Sequence, residues 1–362
     1  MSATTSSSYT GDIVDLSLID ELGPNSPYDC IWQPFVVRSA NGKRLIATYG
    51  GRLRGKADMG DVLCRVSDDD GQTWWQTQMV FDHHHRLGDQ SVAYANSVLY
   101  RPPGQSTLWC FAMRCPMHRR DSEDSQLCAA YSADDGGSWV PVEITNHHAS
   151  PLITCAGIVQ HGDRYLLPVH RNTLRRDPCG DRRQFVLESR NLLEWSLAGY
   201  VPFPEAGPCF VHEGGLAAAA DGSLSMVMRS AAYSGDARAM EPPVAYRSES
   251  QDGGRTWTPA EAQGALHNTV AKGAFAILGD GREIYVYSDG VAWERPGLSY
   301  VVRPVGGVWS EPRPFYDGGN RNSYATLIED PATPGLIEAV WDSSHNADCR
   351  RTQIRFGRLR LG

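Results

Sequence analysis

Short apolar segments follow one another in pairs along the chain, and a glycine turn separates the two members of each pair. KRLIATY follows one such glycine and REIYVY follows another. Short apolar runs bounded by Gly, Pro, Asn or Asp predict β-strands rather than helices. The turn glycines lie 54 to 62 residues apart, which predicts six repeats, and they are Gly42, Gly104, Gly162, Gly222, Gly281 and Gly335.

A second repeat has the pattern Ser-x-Asp-x-Gly-x-Ser/Thr-Trp and begins at Ser67, Ser132 and Ser250. This pattern predicts a folded turn in which Asp accepts backbone N–H bonds, Gly adopts a positive φ and Trp packs beneath. A degenerate fourth copy from Ser189 keeps Ser and Trp only. Two strands around each glycine and a third strand that ends in the Asp turn indicate four-stranded blades. The predicted fold is all-β, a six-bladed β-propeller.

The repeat runs through the chain without a linker or a low-complexity stretch. We therefore expect one propeller domain over residues 21–362. Residues 1–20 precede the first repeat and are expected to form an N-terminal arm or a ring-closing strand. The oligomeric state stays open, because a propeller buries its blades without a partner.

Composition narrows the possible functions. Lys and Arg number 34 against 42 Asp and Glu, a net charge of −8, which disfavours a nucleic-acid partner. No apolar run long enough for a membrane span is present, and the N-terminus lacks the pattern of a signal peptide. The nine cysteines show no metal-binding spacing, and we expect them to be reduced thiols. We expect a cytoplasmic protein without a metal or cofactor.

Equivalent positions of the repeats should meet around the propeller axis. In the first strand of the repeats, these positions are Trp32 with Gln33, Asn96, Thr154, His212 with Glu213, Lys272 and Tyr324. At the end of the second strand they are Arg52, Arg114, His170 with Arg171, Arg229, Ser288 and Asp342. An arginine recurs in four of the six, and a planar guanidinium suits two-point binding of a carboxylate. The pattern predicts an anionic ligand, most simply a sugar acid.

The chain resembles the sialidase (neuraminidase) superfamily through its Asp turns and through SMVMRS, ERPGLSYVVR and NSYATLIE. The resemblance implies a six-bladed propeller in which three arginines bind the substrate carboxylate. It also implies an Asp acid/base on a mobile loop and a Tyr nucleophile assisted by a Glu. Because Asp turns mark a fold rather than an activity, function has to be argued from the site.

Residue by residue, the resemblance assigns Arg229 and Arg295 to the second and third arginines. Asp58 matches the acid/base, with Asp61 as a competitor. Glu213 matches the assisting carboxylate and Tyr324 the nucleophile. A neutral phenol avoids the repulsion that a carboxylate nucleophile would meet at an acidic sugar, and tyrosine nucleophiles are a recognised exception among glycosidases.

The chain departs from the family at the first arginine, because the Arg-Ile-Pro segment reads Trp32-Gln33-Pro34 here. This departure suggests a different acidic sugar, with Trp32 stacking on a ring face and Gln33 hydrogen-bonding to it. The sequence thus predicts a sialidase-like exo-glycosidase acting on a terminal acidic sugar such as sialic acid. The predicted substrate-binding residues are Arg229, Arg295, Arg52, Arg114, Trp32, Gln33, Asn96, His170 and His212.

Two other functions remain open at this point. The first is a polysaccharide lyase acting on glycans that contain uronic acid, with a His or Tyr base drawn from His85, His170, His212 and Tyr324. The second is a carbohydrate-binding propeller without turnover. The run His83-His84-His85 is expected to lie in an exposed loop rather than to bind a metal, since adjacent residues on a strand alternate faces.

Overall fold

The structure is a computed structural model that describes residues 11–56, 58–84, 86–87, 90–117, 125–148, 151–171, 183–205, 210–231, 243–268, 271–291, 294–345 and 350–362. Within these ranges the regular elements are all β-strands, so the all-β prediction is confirmed. The described ranges contain no helix with the length and apolar character needed to cross a membrane.

The strands are β1 (Ile13–Glu21), β2 (Tyr28–Arg38), β3 (Leu45–Leu53), β4 (Gly60–Ser67), β5 (Gln78–Phe81), β6 (Arg86–Leu87), β7 (Gln90–Tyr100), β8 (Leu108–Pro116), β9 (Gln126–Ser132), β10 (Val140–Val142), β11 (Thr145–Asn146), β12 (Ile153–Thr154), β13 (Val159–His161), β14 (Arg164–His170), β15 (Gln184–Ser189), β16 (Glu194–Tyr200), β17 (Phe210–Ala218), β18 (Leu224–Ala231), β19 (Val244–Ser250), β20 (Glu261–His267), β21 (Ala274–Ile277), β22 (Glu283–Ser288), β23 (Leu298–Arg303), β24 (Arg313–Tyr316), β25 (Arg321–Glu329), β26 (Leu336–Ser344) and β27 (Gln353–Arg360).

Most strands pair with their neighbours in sequence, as expected for chains of hairpins. In the largest sheet, the meanders β2–β5 and β7–β10 are joined by one strand pair at Gly60 and Tyr94. Strands β12 to β16 build a second sheet with β11 at its edge, while β17–β20 and β21–β24 form separate four-stranded sheets. The last sheet has the order β1-β27-β26-β25, so the N-terminal strand pairs with the C-terminal one.

The first strands of successive meanders lie against one another. Contacts run from β2 to β7, from β7 to β12, from β13 to β17, from β17 to β21, from β21 to β25 and from β25 back to β2. The short strands β12 and β13 together begin the third meander, and both pair with β14. The hydrophobic core fills the space between neighbouring sheets, where Phe111 of β8 meets Trp195 of β16 edge to face at 5.3 Å. These contacts connect the first strand of each meander to that of the next.

The three Asp turns have the same hydrogen bonds. In the second copy, the Ser132 hydroxyl donates to Asp134 Oδ1 at 2.8 Å and accepts from Gly136 N at 2.8 Å, while Ser138 N donates to Asp134 Oδ1 at 2.8 Å. Gly136 has a φ of 86°. Its Cα approaches Ile46 and Val66 of the neighbouring meander so closely that a Cβ would lie within 3.0 Å of both side chains.

The degenerate copy forms a similar turn that is one residue shorter, with six rather than seven positions from Ser to Trp. Asn191 stands in place of Asp and accepts from Glu194 N at 2.8 Å. Leu192 occupies the left-handed position with a φ of 65°, and Trp195 donates from its indole to the Leu192 carbonyl at 3.0 Å. An acceptor oxygen and a Trp are therefore common to all four turns.

We expect Asp134→Ala to lower the free energy of unfolding by about 1–2 kcal/mol, because the turn loses its acceptor for the Ser132 and Ser138 groups. Asp134→Asn keeps one acceptor oxygen, as Asn191 does, and should lose less than half as much. Urea denaturation of both variants measures the difference. Equal losses for Ala and Asn would contradict the role assigned to the acceptor oxygen.

Candidate active site

Four side chains at equivalent positions share an uncommon backbone conformation. Gln33, Asn96, Glu213 and Tyr324 have φ values of 50°, 56°, 52° and 52°. Each lies in the first strand of its meander, at a shift in register with the second strand. A bulge of this kind re-aims a side chain, and a left-handed conformation costs a non-glycine residue roughly 1–2 kcal/mol. Such strain, repeated in one layer of the fold, is typical of functional sites.

Arg229 connects the two predicted catalytic groups of this layer. Its Nη1 donates to Glu213 Oε2 at 2.6 Å, and its guanidinium lies close enough to Tyr324 for the two to interact electrostatically. Burial alone would lower the pKa of Arg229, but Glu213 and Tyr324 outweigh it and the net shift is upward. Burial raises the pKa of Glu213, whereas Arg229, His170 and Lys272 hold it below its ordinary value. Both partners therefore stay ionised in the interior.

Two more guanidiniums lie over the ring of Tyr324. The Cζ of Arg295 is 5.2 Å from the ring centroid and the Cζ of Arg351 is 5.6 Å from it. Arg295 Nη1 donates to Ser323 Oγ at 3.4 Å. Burial, together with neighbouring guanidiniums that include Arg351 and Arg229, lowers the pKa of Arg295 to about 10. Tyr324, which is only 8% exposed, thus sits among three arginines.

Asp342 provides a buried negative charge beneath this group. It is fully buried and accepts from Ser323 Oγ at 2.6 Å and from Gln33 N at 3.1 Å. Arg351 Nη1 lies 3.9 Å from its Oδ2. The carboxylate thereby links the bulges of β2 and β25 to the connection between β26 and β27.

Of the two candidates for the acid/base, only Asp58 is open to a ligand. Its side chain is 68% exposed, in the connection between β3 and β4, and its Oδ1 lies 4.0 Å from Arg351 Nη2. Asp61 is 1% exposed and accepts from the Tyr28 hydroxyl at 2.7 Å and from His83 N at 2.6 Å. These hydrogen bonds give Asp61, which lies in β4, a supporting role beside the loop.

Glu213 also faces a small cavity. The other polar residues that line this cavity are Gln33, Asn96, Thr154 and Lys272. Lys272 donates from Nζ to the Cys155 carbonyl at 2.9 Å, and burial lowers its pKa. His170 and His212 are buried next to each other, with ring centroids 5.0 Å apart. The structure thus places both histidines and Asn96 in the surroundings of Glu213.

Three predicted residues make contacts that the sequence did not predict. The Arg52 Nε donates to Asp29 at 2.7 Å, and Arg114 lies opposite Tyr94 in the β7–β8 pairing. Trp32 is completely buried, which corrects the expected stacking on a sugar, since no face of the indole is open to a ligand. It instead lies under Arg351, whose Cζ is 5.9 Å from the ring. His85, named above for the lyase, lies outside the described residues.

Sequence reasoning missed Arg351. The repeats were compared only at positions in the first strand and at the end of the second strand. Arg351 lies between the second and third strands of its meander. Arg295 lies in the same connection of the preceding meander, and Asp58 in that of the first. Comparing this third position across the repeats would have found Arg351.

A metal could bind elsewhere in the described ranges. One ligand atom each from Asp82, His83 and His84 lies within 4.8 Å of the others. His83 Nδ1 already contacts Asp61 Oδ1 at 2.8 Å, and His84 is 76% exposed. His84 is exposed, as predicted, whereas His83 is partly buried.

Comparisons with known proteins agree with this architecture. The sequence model of the BNR repeat-like domain family matches residues 43–337. A search of curated proteins gave no match. The fold is similar to that of the NanB sialidase from Streptococcus pneumoniae, with a TM-score of 0.68 at 12% identity over 96% of this chain and 71% of that one.

Two further solved structures are similar over nearly their whole length. The intramolecular trans-sialidase from Ruminococcus gnavus has a TM-score of 0.68 at 13% identity, covering 95% of this chain and 97% of that chain. The α-L-arabinofuranosidase Arb93A from Fusarium graminearum has a TM-score of 0.68 at 12% identity, covering 97% and 99%. The chain belongs to the BNR repeat-like domain family and has a sialidase-like fold.

Proposed function

We propose that this protein is a glycoside hydrolase that removes a terminal acidic sugar from a glycan. The observation that carries the proposal is the position of Tyr324, on a strained bulge among Arg229, Arg295 and Arg351. With Lys272, these cations outnumber the three carboxylates of Glu213, Asp342 and Asp58 around them. A positive balance in a buried site favours an anionic ligand, and guanidiniums suit a carboxylate.

The proposed chemistry has two steps. In the first, the Tyr324 oxygen attacks the anomeric carbon while the bond to the leaving oxygen breaks and Asp58 protonates that oxygen. Glu213 takes the phenol proton, and Arg229, which donates to Glu213 and lies beside Tyr324, keeps the two residues aligned. In the second, Asp58 removes a proton from water, which attacks the same carbon and releases Tyr324, to which Glu213 returns its proton.

We further propose that six four-stranded units close into a propeller ring around this site. Two observations support closure. The first strands contact one another in a cycle that returns from β25 to β2, and β1 pairs with β27 at the junction of the two chain ends. In such a ring β1 is the closing strand, and residues 21–362 with β1 form one domain.

Asp58→Asn should lower the turnover of an acidic glycoside with a poor leaving group by about 10²–10⁴-fold, because the leaving oxygen no longer receives a proton. Arylated sialosides and glucuronides, and the matching alkyl glycosides, give the comparison. For an activated aryl leaving group, which needs little protonation, the loss in the first step should be much smaller. Equal losses for aryl and alkyl glycosides would contradict the acid role.

A lyase is the second candidate, because His170 and His212 lie buried beside Glu213. A lyase removes a proton next to a uronate carboxylate and leaves an unsaturated sugar, whose ultraviolet absorption reports it. Hydrolysis releases the aglycone without that absorption. A product with the unsaturated absorption would favour the lyase, and binding without any product would favour a carbohydrate-binding protein.

A further inference from the structure

Arg351 is a mostly buried cation that lies close to two acids of the site. Its two nearest acids, Asp342 and Asp58, lie 3.9 and 4.0 Å away. The structure gives its guanidinium no hydrogen bond to a described residue, yet its side chain keeps 12% of its surface exposed. A guanidinium carries five N–H donors, so an anion that enters beside Tyr324 would find several of them available.

The residues around Arg351 hold it in place. Its Cζ lies 5.9 Å from the centroid of Trp32 and 5.6 Å from that of Tyr324, so the guanidinium contacts two aromatic rings. Burial alone would lower its pKa, but nearby negative charges including Asp342 and Asp58 raise it above the ordinary value. Arg351 therefore stays charged and oriented before any ligand binds.

We propose that Arg351 is a carboxylate-binding residue of this site, presented from the β26–β27 connection on the Trp32 platform. The inference rests on the proposed acidic-sugar substrate. It explains how Trp32 can occupy the position at which the resemblance would expect an arginine: the guanidinium comes from the opposite end of the chain and reaches the same ring of residues. Arg351 thereby contributes to the preference for an acidic over a neutral sugar.

Binding of free sugars tests this role without requiring turnover. N-acetylneuraminic acid and glucuronic acid are each compared with their methyl esters by calorimetry, on the wild-type protein and on Arg351→Gln. We expect the wild type to prefer the acids, and the preference to fall about 10- to 100-fold in Arg351→Gln. Arg351→Lys keeps the charge without the planar fork and should give an intermediate preference.

Arg190→Gln is the matched control, because Arg190 is 73% exposed and pairs with Asp163 at 3.2 Å. It should keep the wild-type preference. Should Arg351→Gln fail to reach the wild-type melting temperature, Arg351→Lys provides the comparison. An unchanged preference in the folded Arg351 variant, or a wild type that binds acid and ester equally, overturns the inference. A preference for the acid that depends on Arg351 supports the inference. If no arylated glycoside is turned over in that case, the hydrolase proposal is contradicted and the inference is not.

Discussion

Tyr324→Phe is expected to lower kcat on an acidic glycoside by about 10³-fold or more, because the proposed nucleophile is lost. The substitution keeps the ring that Arg295 and Arg351 cover, so substrate binding should change little. Steady-state kinetics that separate kcat from KM measure the effect. A loss confined to KM would assign Tyr324 to binding rather than to chemistry.

Tyr285→Phe is the control for this variant. Tyr285 is also buried, and its hydroxyl accepts from Asn268 Nδ2 at 3.0 Å, away from the arginine group. Removing one neutral hydrogen bond should cost about 1 kcal/mol of stability and leave kcat unchanged. If both variants lost activity alike, the loss would reflect packing around the strands and not the chemistry of Tyr324.

Glu213→Gln should have the largest effect on stability. The substitution removes the charge that compensates buried Arg229, and breaking a buried pair from one side costs about 3–5 kcal/mol. Because the folded protein holds the pKa of Glu213 below its ordinary value of 4.5, this contribution is present at neutral pH and is lost as the pH falls. Denaturant unfolding at neutral and acidic pH measures both expectations, and the gap between wild type and variant should narrow in acid.

Glu249→Gln is the matched control. Glu249 accepts from Arg247 Nε at 2.9 Å but is 48% exposed, so solvent screens the pair. Its loss should cost less than about 1 kcal/mol. Equal destabilisation by both substitutions, or a Glu213→Gln protein as stable as wild type, would show that Arg229 does not depend on Glu213 for its burial.

Much of the fold could be predicted because its signals are local. Turn glycines and Asp turns depend on residues a few positions apart, and their spacing is visible in the sequence. The degenerate fourth copy shows the limit of such motifs, since Asn191 and Leu192 form a similar, shorter turn without the Asp and Gly of the pattern. The folded turn therefore accepts more residue types than the sequence motif includes.

The candidate site was harder to predict because it depends on contacts distant in sequence. Counting from the turn glycines found Gln33, Asn96, Glu213 and Tyr324, because the bulges fall at nearly constant distances from them. Counting could not show that Trp32 is buried, nor that Arg351 reaches it across the junction between the ends of the chain. Whether a polar side chain pairs locally, as Arg52 does with Asp29, is also set by the tertiary structure.

The most direct test of the central claim is to trap the sugar on the enzyme. A fluorinated sugar acid with a good leaving group forms the first-step product and slows its hydrolysis, and mass spectrometry of the digested protein then locates the attached sugar. We predict one sugar per chain, on Tyr324, and none on the Tyr324→Phe variant. Attachment to Glu213 or Asp58, or full turnover by a protein that never carries the sugar, would contradict the account.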